Sequence, residues 1–287
     1  PVLVLAGAGS GKTRVLVSRL AYLIQELKYI PSSIIATTFT KAAAEEIRQR
    51  VAVLVGPQAS AIQASTIHAL CLKLIRTYGS EGASVLENGE QKRMLKIAVS
   101  DALDYFRLPK PLQFGWKYWA SWAEWVQTNR AEKRDNCKTC AEGKSDVLIA
   151  HIRAQMDISR PQSAPTNMLL AKVAAKVYTL YSKAKAVERK IDFGDMLWKA
   201  WDLLENPTVL GLVREVYKYV LVDEQQDTSR LQREILGKIA GDKALFAVGD
   251  PDQNLYSWRQ ADPIENIYGF AKRFPGAHIY KLGINYR

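Results

Sequence analysis

Lys12 and Thr13 close the stretch "AGAGSGKT", residues 6–13. Gly7, Gly9 and Gly11 let a backbone turn tightly and aim N–H groups inward at an anion. A lysine at the end of such a turn reaches β- and γ-phosphates, and the threonine hydroxyl can ligate Mg²⁺. The nucleotide-binding residues read from this pattern are Ala6, Gly7, Ala8, Gly9, Ser10, Gly11, Lys12, Thr13 and Arg14, with ATP and Mg²⁺ as cofactors. The strict pattern asks for glycine where Ala6 stands; the rest of the spacing is kept. A second group lies in "YVLVDEQQDTS", residues 219–229. Asp223 is placed to hold the metal and Glu224 to orient and deprotonate an attacking water, the two roles that hydrolysis of a phosphoanhydride needs. A third is "VGDPDQNLYSWRQADP", residues 248–263. There Gln253 is placed to sense a γ-phosphate, and Tyr256, Trp258 and Arg259 are flat side chains of the kind that stack the bases of a single strand.

These groups need a scaffold. Residues 2–6, 34–39, 219–223 and 244–249 are mostly continuous apolar runs, as expected of parallel strands covered on both faces. Helical patterns cover 12–27, 41–55 and 65–78. That order predicts a parallel α/β sheet. Residues 85–200 differ: they read as helices rich in Trp and Tyr with no clear strand, interrupted by a charged loop at 130–146 and a Pro/Ser linker at 159–167. The predicted fold is α/β, a P-loop NTPase sheet of RecA-like type with an inserted all-helical subdomain. The predicted boundaries are 1–84 and 196–287 for the sheet domain and 85–195 for the insertion.

The chain has 287 residues, enough for one large domain or two ordinary ones, and it is 48% hydrophobic and 24% charged. No apolar run approaches the roughly 20 residues of a membrane span, so no membrane partner is expected. The chain starts at the edge of a strand without a basic leader, which reads as a segment with residues missing upstream. Lys plus Arg number 40 and Asp plus Glu 29, a net charge of +11. Such an excess suits a polyanionic partner, most simply nucleic acid. The three cysteines form no disulfide framework and fit a cytosolic, hence cytoplasmic, setting.

In their order and spacing these motifs resemble the amino-terminal half of superfamily 1 DNA helicases of the UvrD/Rep/PcrA type. "AGAGSGKT" resembles that family's motif I, "TTFTKAAAEEIRQRV" (37–51) motif Ia and "ASTIHALCLKLIR" (64–76) motif Ib. "LVDEQQDTSRLQ" (221–232) resembles motif II, the 248–263 stretch motif III, and "KLGINYR" (281–287) motif IV. "IDFGDMLWKA" (191–200) is similar to a segment the family places ahead of motif II. The resemblance implies an ATP-driven, 3′-to-5′ translocase and helicase that acts in repair, replication or recombination. It implies that Arg287 stabilises the transferring phosphoryl and that Tyr286 packs on the adenine. Phe39, Thr66, His68, Tyr256, Trp258 and Arg259 fall where members touch single-stranded DNA. Its partners would be single-stranded DNA, duplex junctions and accessory repair or replication proteins, and the chain would be a monomer. The similar motifs of RecB/AddA-like helicase–nucleases, and a nucleotide-gated DNA-binding module without motor activity, are alternative readings. Motifs V and VI are absent, so residues 1–287 by themselves are not expected to unwind DNA.

Three departures stand out. Gln225 and Gln260 occupy positions where other residues are usual, and "TFTKAAAEE" lacks the family's Asn-Lys pair, which leaves a DNA role for Lys41 open. Two further features read as structural. "CKTC" (137–140) is one cysteine pair with a single nearby histidine, short of a zinc set. Trp116, Trp119, Trp122 and Trp125 step by three, so on a helix their rings fan over about half its surface, as a core stripe does.

Overall fold

The computed structural model describes residues 1–79, 82, 84–105, 164–241, 244–250, 252–253 and 264–286. The charged loop at 130–146, the "CKTC" pair, the tryptophan step, Tyr256, Trp258, Arg259 and Arg287 lie outside the described residues. The chain divides into two compact units, Pro1–Ser80 with Leu197–Arg287, and Glu81–Met196.

The first unit is built on a six-stranded, all-parallel sheet. Its strands are β1 (Val2–Ala6), β2 (Ile34–Thr38), β3 (Gln63–Thr66), β6 (Tyr219–Val222), β7 (Leu245–Gly249) and β8 (His278–Leu282), in the order β3-β2-β6-β7-β1-β8. Its helices are α1 (Lys12–Gln25), α2 (Lys41–Val55), α3 (Ile67–Tyr78), α7 (Pro207–Val216), α8 (Arg230–Ala240) and the short α9 (Phe270–Arg273), with most of α6 (Phe193–Glu205). Every residue of β2, β6 and β7 is buried. This is why these strands read as unbroken apolar runs rather than alternating ones. On one face Val4, Ile34, Ala36, Leu221, Phe246 and Val248 pack with Leu16, Leu20 and Leu23 of α1 and Ile47 and Val51 of α2. The alternate residues Leu3, Ile35, Val220 and Ala247 are equally buried, so the opposite face is covered too.

Two strands of this sheet were not read from the sequence. β3 is four residues long with three of them polar, and β8 is mostly exposed. Both are edge strands, paired on one side only, so burial imposes no apolar run on them.

Helix starts follow local chemistry. Thr40, Thr66 and Asn206 accept from first-turn N–H groups of α2, α3 and α7, and Ser229 with Gln232 forms a capping box on α8. Helix α1 alone among these five begins on a glycine with no side-chain cap. Its first-turn N–H groups are left to whatever lies beyond the turn.

In the second unit, α4 (Asn88–Tyr105) packs against α5 (Ala164–Val187) through Leu95, Ala98, Ala102, Val173, Val177 and Tyr181. Two sequence expectations change here. Residues 164–167 start α5 rather than extend the Pro/Ser linker, because a helix's first turn tolerates proline. A two-residue parallel pairing joins β4 (Ser84–Val85) to β5 (Lys190–Ile191), in a region expected to hold no strand.

Candidate nucleotide site at the carboxyl ends of β1, β6 and β7

Strands β6, β7 and β1 are neighbours, and the 6–13 turn, the Asp223–Glu224 pair and Gln253 follow their carboxyl ends. In open parallel sheets that is where ligands bind. After Ala6 the chain turns through Gly7–Gly11. Gly9 and Gly11 have φ of 75° and 94°, in the left-handed region where a Cβ is strained. The Ser10 hydroxyl donates to the Gly7 carbonyl at 2.7 Å and locks the turn. Gly11 then caps α1, a 14-residue helix whose positive end faces the turn. Gly7 and Ala8 are exposed, Ser10 is buried, and Lys12 and Thr13 sit half-buried in the first turn of α1, with Arg14 exposed beside them.

Lys12 Nζ donates to Glu224 Oε2 at 2.9 Å and to Gln253 Oε1 at 3.4 Å. Residues 12, 224 and 253 are thus brought to one point from three strand ends. Asp223 follows β6 directly, and its N–H donates to the Thr37 carbonyl at 2.9 Å. Glu224 has φ 50° and ψ 51°. A glutamate in that conformation costs on the order of 1–3 kcal/mol, a form of strain that concentrates at functional sites. The amide of Tyr286 donates to the Gly9 carbonyl at 3.1 Å, which brings the Tyr286 backbone to the phosphate turn while its side chain stays exposed.

Asp223 Oδ1 is buried and accepts no hydrogen bond from the described residues. Its carboxyl is pushed up to about 6, by burial first and then by the charge of Glu224. A buried carboxylate oxygen without a donor, a hydroxyl at Thr13 and a lysine next to two acceptors suit a hard cation and a polyphosphate. The residues present therefore fit ATP with Mg²⁺.

The raised pKa sets a testable pH dependence. Folding favours the neutral Asp223 acid, so its contribution is complete below the unfolded value near 4 and is lost as pH rises through about 6. Asp223→Asn cannot acquire the buried charge. Without divalent cations, its stability relative to the parent should rise by about 1–3 kcal/mol between pH 4 and pH 7. Urea unfolding at a series of pH values measures this; a pH-independent offset contradicts it.

Of the six DNA-contact residues expected from the sequence, the three that are described, Phe39, Thr66 and His68, lie on the sheet's other flank. Phe39 follows β2, Thr66 ends β3 and His68 lies in the first turn of α3. Thr38 and Thr66 are register partners, so these three sit at adjacent strand ends. The Thr66 hydroxyl is engaged as the α3 cap, accepting from Ala69 N–H at 3.4 Å.

Four polar residues went unnoticed in the sequence: Thr37, Gln226, Asp250 and Asn266. Asp250 is 4% exposed, and its Oδ1 accepts from Asp252 N–H at 3.0 Å, shaping the turn that carries Gln253. The strand-end position of Asp250 was a usable signal; nothing in the sequence marked Asn266.

Residues 1–275 match the model of the UvrD/REP helicase N-terminal domain. The chain belongs to that family. It is also similar, over its whole length, to "ATP-dependent DNA helicase PcrA" of Leuconostoc citreum and of Staphylococcus aureus, at 32% identity in each case. The corresponding protein of Staphylococcus epidermidis is 31% identical. The UvrD/REP-family chain described here spans only 35–36% of the length of these relatives. Among its described residues, no helix is long and apolar enough to cross a membrane.

Proposed function

We propose that this chain is the ATP-binding part of an ATP-driven, single-stranded-DNA translocase and helicase. The observation that carries the reading is the convergence of Lys12, Glu224 and Gln253 within hydrogen-bond distance at three strand ends, beside the unsatisfied Asp223 oxygen. On this reading the turn at Ala6–Gly11 and the amino end of α1 cradle the phosphates, and Lys12 takes the β- and γ-oxygens. Mg²⁺, held through Thr13 and Asp223, would neutralise phosphate charge. Glu224 accepts the proton of the attacking water, Gln253 reads the γ-phosphate, and Arg287 stabilises the transferring phosphoryl. Tyr286 packs on the adenine, and Arg14 stays at the rim of the site. Phe39, Thr66, His68, Tyr256, Trp258 and Arg259 form the single-strand track. The Pro1–Ser80/Leu197–Arg287 unit is the ATPase subdomain and Glu81–Met196 the helical insertion. The relatives' names, which specify ATP dependence and DNA, support the assignment, as does the +11 charge. The expected setting is the bacterial cytoplasm, with movement 3′ to 5′.

Steady-state ATP hydrolysis by the full-length protein, with and without single-stranded DNA, tests this. DNA should stimulate turnover, and the apparent DNA affinity should fall steeply with added salt, as phosphate contacts dictate. Hydrolysis indifferent to DNA, or none at all, overturns the motor reading.

A further inference from the structure

Gln226 lies in the middle of a one-turn 3-10 helix, Gln225–Asp227, and is 1% exposed. Its side chain spans two strand ends. Nε2 donates to Glu224 Oε2 at 2.7 Å, and Oε1 accepts from the Asp250 N–H at 3.0 Å. The orientation of this amide is forced. Turned over, it would set a carbonyl against a carboxylate and an NH₂ against an N–H. The backbone of Gln226 is held as well. Asn266, 0% exposed, donates from Nδ2 to the Gln226 carbonyl at 3.1 Å and to the Thr228 carbonyl at 2.6 Å. The amide of Asn266 is in turn fixed by Arg233, which donates to its Oδ1 at 2.5 Å.

Glu224 Oε2 therefore receives two donors, Lys12 and Gln226, while Oε1 accepts none from the described residues. Lys12 has a second task at the phosphates; Gln226 has none, so it is the donor that stays. We infer that Gln226 is the positioning residue of the site: it holds Glu224 by one carboxylate oxygen, leaves the other for water, and ties the base to the backbone that leads from β7 to Gln253. The inference rests on the reading of Glu224 as the general base.

The test uses Gln226→Met and Gln226→Glu in the full-length protein, each alone and combined with Glu224→Gln. The glutamate variant retains an acceptor for the Asp250 N–H and replaces the donor to Glu224 with a carboxyl whose ionised form repels it, so it separates positioning from the tie between strand ends. Thermal unfolding establishes that each variant is folded. Each single variant should lower kcat for DNA-stimulated ATP hydrolysis by about 10–100-fold, as loss of an orienting partner typically does. KM should stay within about threefold, because ground-state binding is untouched. In the Glu224→Gln background neither change should lower kcat further, since residues acting through one group are not additive. An unchanged kcat, an equal loss in the Glu224→Gln background, or failure of both variants to fold would show a purely structural role and overturn the inference. If Glu224→Gln alone leaves kcat unchanged, the assignment of the base itself falls, and the positioning role with it.

Discussion

Glu224→Gln should slow ATP hydrolysis by about 10²–10⁴-fold, the usual contribution of a positioned general base. That corresponds to roughly 2.7–5.5 kcal/mol in the barrier. Nucleotide affinity should hold or improve. Lys12 Nζ, now 2.9 Å from the Glu224 carboxylate, would face a neutral amide and compete less for it. Asp223, the proposed metal ligand, is also untouched. Lys12→Ala should behave in the opposite way. It removes one charge-assisted contact to phosphate, worth about 1.5–3 kcal/mol, so triphosphate affinity should fall roughly 10–100-fold. Equilibrium binding of a fluorescent nucleotide, measured beside single-turnover hydrolysis, separates the two. An equal loss of affinity in both variants would show that the two residues do not divide binding from chemistry.

Lys185→Ala should destabilise the Glu81–Met196 unit by about 3–5 kcal/mol, the cost of stripping the partner from buried charge. Lys185 has a side chain 4% exposed and makes ion pairs with Asp192 at 2.7 Å and Asp195 at 2.5 Å. The Tyr181 hydroxyl donates to the same Asp192 oxygen at 2.8 Å, and burial followed by the Asp192 charge pushes the phenol far above its usual range. Asp192 and Asp195 also accept from each other's backbone N–H at the start of α6. Without Lys185, two carboxylates face one another in a poorly hydrated pocket. Burial already raises the pKa of Asp195 above its ordinary value, and the Asp192 charge adds to this. Adding Asp192→Asn should restore part of the loss, because the amide oxygen still accepts from Asp195 N–H without carrying charge. Chemical unfolding monitored by circular dichroism reads the effect. A loss below about 1 kcal/mol would mean that the cluster is hydrated and pays little for its charge.

Much of the site could be read in the residues because its parts are local. The turn at 6–13 carries its own requirement for glycine, and Lys12 and Thr13 follow at fixed spacing on the helix that the turn opens. Asp223 and Glu224 could be singled out because a fully buried strand precedes them. Gln226 was not found, although it stands two residues further on. An isolated glutamine is a surface residue in most sequences, and its role depends on meeting Asp250, 24 residues away. Glu224's left-handed backbone was equally invisible, since nothing in its side chain favours φ > 0.

The sequence by itself determined the parallel α/β class, the phosphate turn and the acidic pair. These follow from continuous burial of central strands and from glycine chemistry, both of which act within a few residues. The tertiary structure decided the strand order and the two polar edge strands, the convergence of Lys12, Glu224 and Gln253, and the clamp of Gln226 on Glu224. Each of these joins residues distant in the chain, some more than 200 apart, and register between parallel strands is set by packing of the whole sheet rather than by any one strand's pattern.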